Sequence, residues 1–202
     1  ITMNEKEEII PNGAIYIEGK KIAAIGTTSD LLARYPQAEK EDMQGKAVLP
    51  GFINLHTHTV LSALRGLADD CNSVKAVFGW MAYINEIVTP EESYHISSNA
   101  LLELVKAGST TVMENSANME AVAQAMKESG LRSYLAAGKI HDYDLTPIRY
   151  GQFVQKKEIG ESTLKAAMQL FENWHGKEEG RMQCVIYPHA NDTCSPKLLR
   201  EL

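Results

Sequence analysis

From Lys46 onward, short apolar runs alternate with longer stretches of helical periodicity, and this alternation constrains the fold more than any other feature. The run Ala47 to Leu55 is mostly apolar, as a strand covered on both faces is expected to be. Pro90-Glu91-Glu92 opens a predicted helix to about Ala107, with Thr89 as N-cap and proline at its first position. Gly108 stops it, and Ser109-Thr110-Thr111-Val112-Met113 follows as a β-branched strand. Residues 119–129 read as a helix ended by Gly130, and Leu131 to Ala137 as a third strand. Glu161 to Trp174 is helical and stops at Gly176, before a fourth strand from Met182 to Tyr187. Pro196 opens a further helix running to Leu202. Such alternation predicts parallel βαβ units.

Residues 1 to about 47 differ. Pro11-Asn12-Gly13 is a turn signal, Ala14 to Glu18 reads as a strand, and Gly19-Lys20-Lys21 turns into Ile22 to Ile25. Ser29 and Asp30 are candidate N-caps for a short helix starting near Leu31 and stopping by Pro36. This predicts a small β layer over residues 1–47, set apart from an α/β part over 48–202. The segment from Tyr143 to Gly160 reads as a long loop, a substrate lid or a plain surface excursion.

Composition excludes several functions. A net charge of −6 and a pI near 5.5 argue against a nucleic-acid or anionic-membrane surface. Three cysteines, Cys71, Cys184 and Cys194, form no CxxC pair, which argues against a disulfide framework and for a reducing cytoplasm. Cys184 reads as a small buried hydrophobe. No apolar run approaches the roughly 18 residues that a bilayer span needs. P-loop, GxGxxG, HExxH and GxSxG motifs are absent.

In parallel α/β folds chemistry collects at the C-terminal ends of the strands. His56 and His58 follow the first predicted strand, Glu114 and Asn115 the second, His141 and Asp142 the third, and His189 the fourth. His95 and His175 fall on or beside helices and read as surface or packing residues. On a strand, side chains two residues apart share a side, so the His56 and His58 imidazoles can reach one cation. Neutral imidazole suits Zn²⁺ and similar ions. His189 is read either as a site residue or as a packed, capping histidine. Glu114 is either a core-facing acid satisfied by backbone groups or a site residue. His141-Asp142 either orients substrate or forms a local hydrogen-bonded turn.

The run Val48-Leu49-Pro50-Gly51-Phe52-Ile53-Asn54-Leu55-His56-Thr57-His58 closely resembles the amidohydrolase superfamily. Within it the chain is similar to the aminohydrolases and chlorohydrolases that include S-adenosylhomocysteine/methylthioadenosine deaminases. Leu64 to Asp70, Ala107 to Val112 and Pro188-His189-Ala190-Asn191-Asp192-Thr193-Cys194-Ser195 extend the likeness over essentially the whole chain. The resemblance implies a TIM-type (β/α) barrel, here incomplete with about four βα units, beside a small N-terminal β-sandwich domain. It implies one Zn²⁺ (or Fe²⁺) with His56 and His58 as ligands, and His189 as a substrate contact. It aligns Asn85 with a ribose-binding glutamate and Ala137 with an arginine for the amino-acid end of the substrate, which departs from the adenosine-type pattern. Relatives often form dimers, so a homo-oligomer is compatible with it.

The function expected is hydrolytic deamination of a small-molecule nitrogen heterocycle, with metal-bound hydroxide as nucleophile and an acid shuttling the proton. His56 and His58 hold the metal, while His189, His141, Glu114 and Asn85 meet substrate. No lysine ends the fourth strand, which favours one metal over a carbamate-bridged pair. Two imidazoles are too few for a catalytic zinc, so the remaining ligands and the acid are expected beyond Leu202. Hydrolysis of a C–Cl bond or a cyclic amide on the same scaffold is the neighbouring alternative. A non-catalytic half-barrel serving binding or assembly is the alternative from another class.

Overall fold

The computed structural model describes residues 1–67, 69–72, 75–136, 139–148 and 150–202; Ala137, expected to end a strand, lies outside them. The chain divides into two compact units, Ile1–Gly51 and Phe52–Leu202.

In the first unit, β1 (Gly13–Glu18) pairs antiparallel with β2 (Lys21–Thr27) through the Gly19 turn, where φ is +60°. Helix α1 (Thr28–Arg34) follows directly. The expected caps Ser29 and Asp30 lie inside it; Thr27 is the cap, because its side chain accepts from Asp30 N at 3.3 Å. Leu31 is the buried residue of this short helix. The described sheet of this unit has two strands.

The second unit is a parallel sheet with helices packed on it. Its strands β3 (Phe52–Thr57), β4 (Ser109–Glu114), β5 (Arg132–Ala136) and β6 (Met182–Val185) lie side by side in chain order. The first strand begins at Phe52 rather than Ala47: Pro50 has no N–H, and the ladder opens with Phe52 N donating to Gly108 O at 2.9 Å. A 3₁₀ helix (Thr59–Leu64), a π-helical segment (Ala76–Met81) and α2 (Ala82–Ile87) connect it to α3 (Pro90–Lys106).

Helix α3 begins as the sequence predicts. Thr89 accepts from Glu92 N at 3.2 Å and Glu92 accepts from Thr89 N at 2.8 Å, a reciprocal capping box. Helix α4 (Met119–Ser129) ends at Gly130, whose φ of +78° is open to glycine at little cost. Between β5 and the next long helix lies a short helix, α5 (Leu145–Ile148), so the predicted loop is partly structured. Helix α6 (Lys157–Trp174) starts four residues before the expected Glu161. Gly160 is not a breaker: it lies within α6, where a Cβ would stand 3.0 Å from the Cβ of Asp142. Helix α7 (Pro196–Glu201) closes the order, with Ser195 as N-cap.

The core lies between sheet and helices. Val112, Leu135 and Met182 from the strands meet Leu101, Val122, Met126 and Leu170 from the helices, all essentially without solvent exposure. Each such side chain contributes about 1.5–3 kcal/mol on burial. Cys184 packs in the same cluster, and burial pushes its thiol up to about 11. The expectation that the first strand is covered on both faces is corrected: Phe52, Ile53 and Leu55 are 62%, 65% and 65% exposed. Among the described residues, β3 has a partner strand on one side only and helices pack on one face of the sheet. No described helix is long and apolar enough to cross a membrane.

Candidate active site

His56 stands on β3 and His58 is the residue before the 3₁₀ helix. Their Nε2 atoms converge to 3.1 Å, with the rings at 89° to one another. Two nitrogens bound tetrahedrally at about 2.0–2.1 Å from zinc would lie roughly 3.3 Å apart. The pair therefore fits one divalent cation. Among the described residues no cluster of three or more His, Cys, Asp and Glu side chains surrounds it.

Hydrogen bonds fix the orientation of His58. Its Nδ1 meets the carbonyl of Asn115, and a carbonyl only accepts, so Nδ1 carries the proton. Nε2 is then a lone pair turned toward His56. This is the outer-shell arrangement that metal-bound histidines use. Burial lowers the His58 pKa, which keeps the ring neutral and able to ligate.

Glu114 stands behind this segment and is 0% exposed. Both its carboxyl oxygens accept from Thr59 N at 3.1 Å, and the Ser116 hydroxyl donates to it as well. The carboxyl thus ties the residue after His58 to the end of β4 and is shut away from solvent, because alternation along β4 puts it on the same side as the core residue Val112. Burial pushes its pKa up to about 7, against the hydrogen bonds from Ser116 and Thr59.

Beyond β5, Ile140 forms an isolated parallel bridge with Pro188, and His189 N donates to Ile140 O at 3.0 Å. This bridge brings the His141 and His189 rings to 6.0 Å. His141 Nδ1 donates to Tyr143 O at 2.8 Å. Thr193 Oγ donates to Ala190 O at 3.1 Å, so it accepts from His189 Nδ1 at 2.9 Å. Burial lowers both pKa values, that of His189 to about 4. Both rings are therefore neutral, with Nε2 as their remaining acceptor.

Thr193→Val tests this assignment. Thr193 is fully buried, and valine keeps its shape while removing the acceptor. The expected cost is about 1–3 kcal/mol of stability, with loss of the single Nδ1–H tautomer of His189. Imidazole ¹⁵N shifts and urea unfolding read the two effects.

Asp142 is a structural partner of this region. Burial opposes its charge, but donation from Ser195 N and Gln155 Nε2, each at 2.7 Å, holds its carboxyl below the usual range. Asn85 is half-buried on α2, and among the described residues no hydrogen bond or ring contact joins it to the histidines. The position aligned with arginine, Ala137, is outside the described residues. His175 stacks on Phe171 at 4.2 Å and accepts from Cys184 N at 3.2 Å; His95 meets the edge of the Tyr94 ring at 5.1 Å. Two roles were not assigned from sequence: that of the Asn115 carbonyl, which any residue type supplies, and that of Thr193, which stands in the Pro188–Ser195 run as the partner of His189 Nδ1.

A four-stranded parallel sheet with helices between its strands and imidazoles at their ends defines an α/β fold. Residues 47–202 match the model of the Amidohydrolase family, and the chain belongs to that family. Residues 13–38 match an imidazolonepropionase-like composite domain of bacteria. The chain is 32% identical to 5'-deoxyadenosine deaminase of Methanococcoides burtonii, over 100% of this chain and 43% of that protein. It is also 32% identical to 5-methylthioadenosine/S-adenosylhomocysteine deaminase of Halothermothrix orenii, with the same shares covered. The chain thus spans less than half the length of the curated relatives it matches.

Two solved structures share the fold. A mutant atrazine chlorohydrolase of Arthrobacter aurescens, complexed with zinc and atraton, aligns with a TM-score of 0.80 at 21% identity, over 98% of this chain and 46% of that one. Guanine deaminase of E. coli aligns at 0.69 and 22% identity, over 93% and 41%.

Proposed function

We propose that this chain carries the first two ligands and the substrate-facing histidines of a metal-dependent hydrolase that removes an amino group from a nitrogen heterocycle. The observation that carries it is the convergence of His56 Nε2 and His58 Nε2 at 3.1 Å, with His58 Nδ1 tied to the Asn115 carbonyl. Membership of the Amidohydrolase family and the deaminase names of the 32%-identical relatives support the reaction class. The fold reading is the opening half of a (β/α) barrel over residues 48–202, with residues 1–47 belonging to a small composite β domain.

His56 and His58 would hold a divalent cation, zinc or iron, which would supply Lewis-acid activation of water. His58 is held in the ligating tautomer by Asn115, and the segment after it by Glu114 through Thr59. His141 and His189 present Nε2 lone pairs that accept from substrate N–H or O–H groups. The reaction also needs a third ligand and an acid to carry the proton to the ring and to the departing amine. The described residues do not supply these, and the relatives are more than twice the length matched here. Three unpaired cysteines fit a reducing compartment.

The test is metal content and product release by the natural full-length protein carrying this sequence, with a panel of amino-substituted purines, pyrimidines and their nucleosides. The expected result is about one zinc or iron per active site, ammonia as product, loss of turnover with a chelator and recovery on adding zinc. Chloride from a chlorotriazine without any ammonia would move the assignment to C–Cl hydrolysis. Turnover undiminished in protein stripped of metal would overturn it.

A further inference from the structure

Lys139 precedes the Ile140 bridge and has no role in the reading above. Ile140 is buried in the helix-facing core, so alternation along this extended stretch puts Lys139 and His141 together on its other side. The bridge partner Pro188 sets His189 against His141 at 6.0 Å. Lys139 thus shares a side of this stretch with His141, which stands next to His189.

Among the described residues Lys139 has no hydrogen bond and no ion pair. Desolvation lowers its pKa, and no carboxylate acts against that. Of the acids that act on these histidines, Asp142 is committed to Ser195 and Gln155 and Asp144 to Lys156 at 2.6 Å, while Asp192 is exposed to solvent. His141 and His189 are neutral. A half-buried cation without a counter-charge, on the same side as the neutral His141, makes a site short of negative charge.

We propose that Lys139 is a substrate-specificity residue whose ammonium binds an anionic group, a carboxylate or ionised ring oxygen, on the heterocycle, while His141 and His189 accept from its N–H groups. This rests on the hydrolase reading above and narrows its substrate to rings that carry negative charge. Lysine only donates and the two Nε2 atoms only accept, so the cluster distinguishes the charged side of a ligand from its N–H side.

The test uses uracil and uracil-6-carboxylate, which differ only in the charged group. Calorimetry on the zinc-loaded full-length protein should show the carboxylate bound about 10- to 100-fold more tightly. Lys139→Met should bring the two ligands to parity while leaving uracil affinity and zinc content unchanged; Lys139→Arg should keep most of the preference. A preference that survives Lys139→Met, or equal binding by the wild type, overturns the assignment of Lys139 while zinc content leaves the hydrolase reading standing. Absence of zinc binding in the wild type overturns both.

Discussion

His58→Ala should lose tight metal binding and turnover together, with metal affinity reduced roughly 100-fold or more, since removing even an outer-shell partner of a ligand costs ~10–100-fold. The expectation follows from geometry. Its Nε2 is one of two nitrogens 3.1 Å apart, and its Nδ1 proton is committed to the Asn115 carbonyl. Alanine removes the nitrogen, and among the described residues no third His, Cys, Asp or Glu side chain joins the pair to replace it. His95→Ala is the matched control, because that ring lies on a helix against the edge of Tyr94 and the variant should retain full metal. Metal titration of both variants, with circular dichroism to confirm folding, decides the matter. Wild-type metal affinity in His58→Ala would remove His58 from the ligand set.

The second large effect belongs to Glu114. Its carboxyl pKa is raised from 4.5 to about 7 by burial, so the folded protein holds this proton more tightly than the unfolded chain. The contribution to stability is fully present below pH ~4.5 and is lost as pH rises through about 7. At 1.36 kcal/mol per unit, the loss is about 3 kcal/mol. His58, His141 and His189 act in the opposite direction, because their lowered pKa values make folding more favourable as pH rises toward 6.5. The wild-type curve is therefore a mixture, and the comparison with Glu114→Gln isolates the carboxyl. In metal-free protein, the stability difference between wild type and Glu114→Gln should shift by about 3 kcal/mol in favour of the glutamine variant between pH 4.5 and 7.5. Urea unfolding at a series of pH values measures it. Parallel curves for the two proteins would mean that Glu114 does not titrate in this range.

Glu114 also shows where sequence reading stops. As the last residue of β4 it is legible as a strand-end acid, and both a site role and a core role are consistent with that position. The fold makes the choice by facing it toward Thr59 and Ser116, so it supports the ligand segment from behind. Gly160 is a similar case. A glycine after a loop reads as a helix boundary, yet here it lies inside α6, where a larger residue would press on Asp142. Propensity describes one chain segment at a time, whereas that close approach depends on two.

Sequence by itself determined the local elements and which residues stand at their ends. Caps, helix-stopping glycines and β-branched runs act within a few residues, so Thr89, Gly108, Gly130 and the His56/His58 spacing are readable without coordinates. Tertiary structure decided which strand ends meet. Only the Ile140–Pro188 bridge brings His141 to His189, and only the β3–β4 pairing gives His58 the Asn115 carbonyl 57 residues away. The physical reason is that tautomer, charge state and exposure depend on neighbours across the sheet, which sequence spacing does not encode.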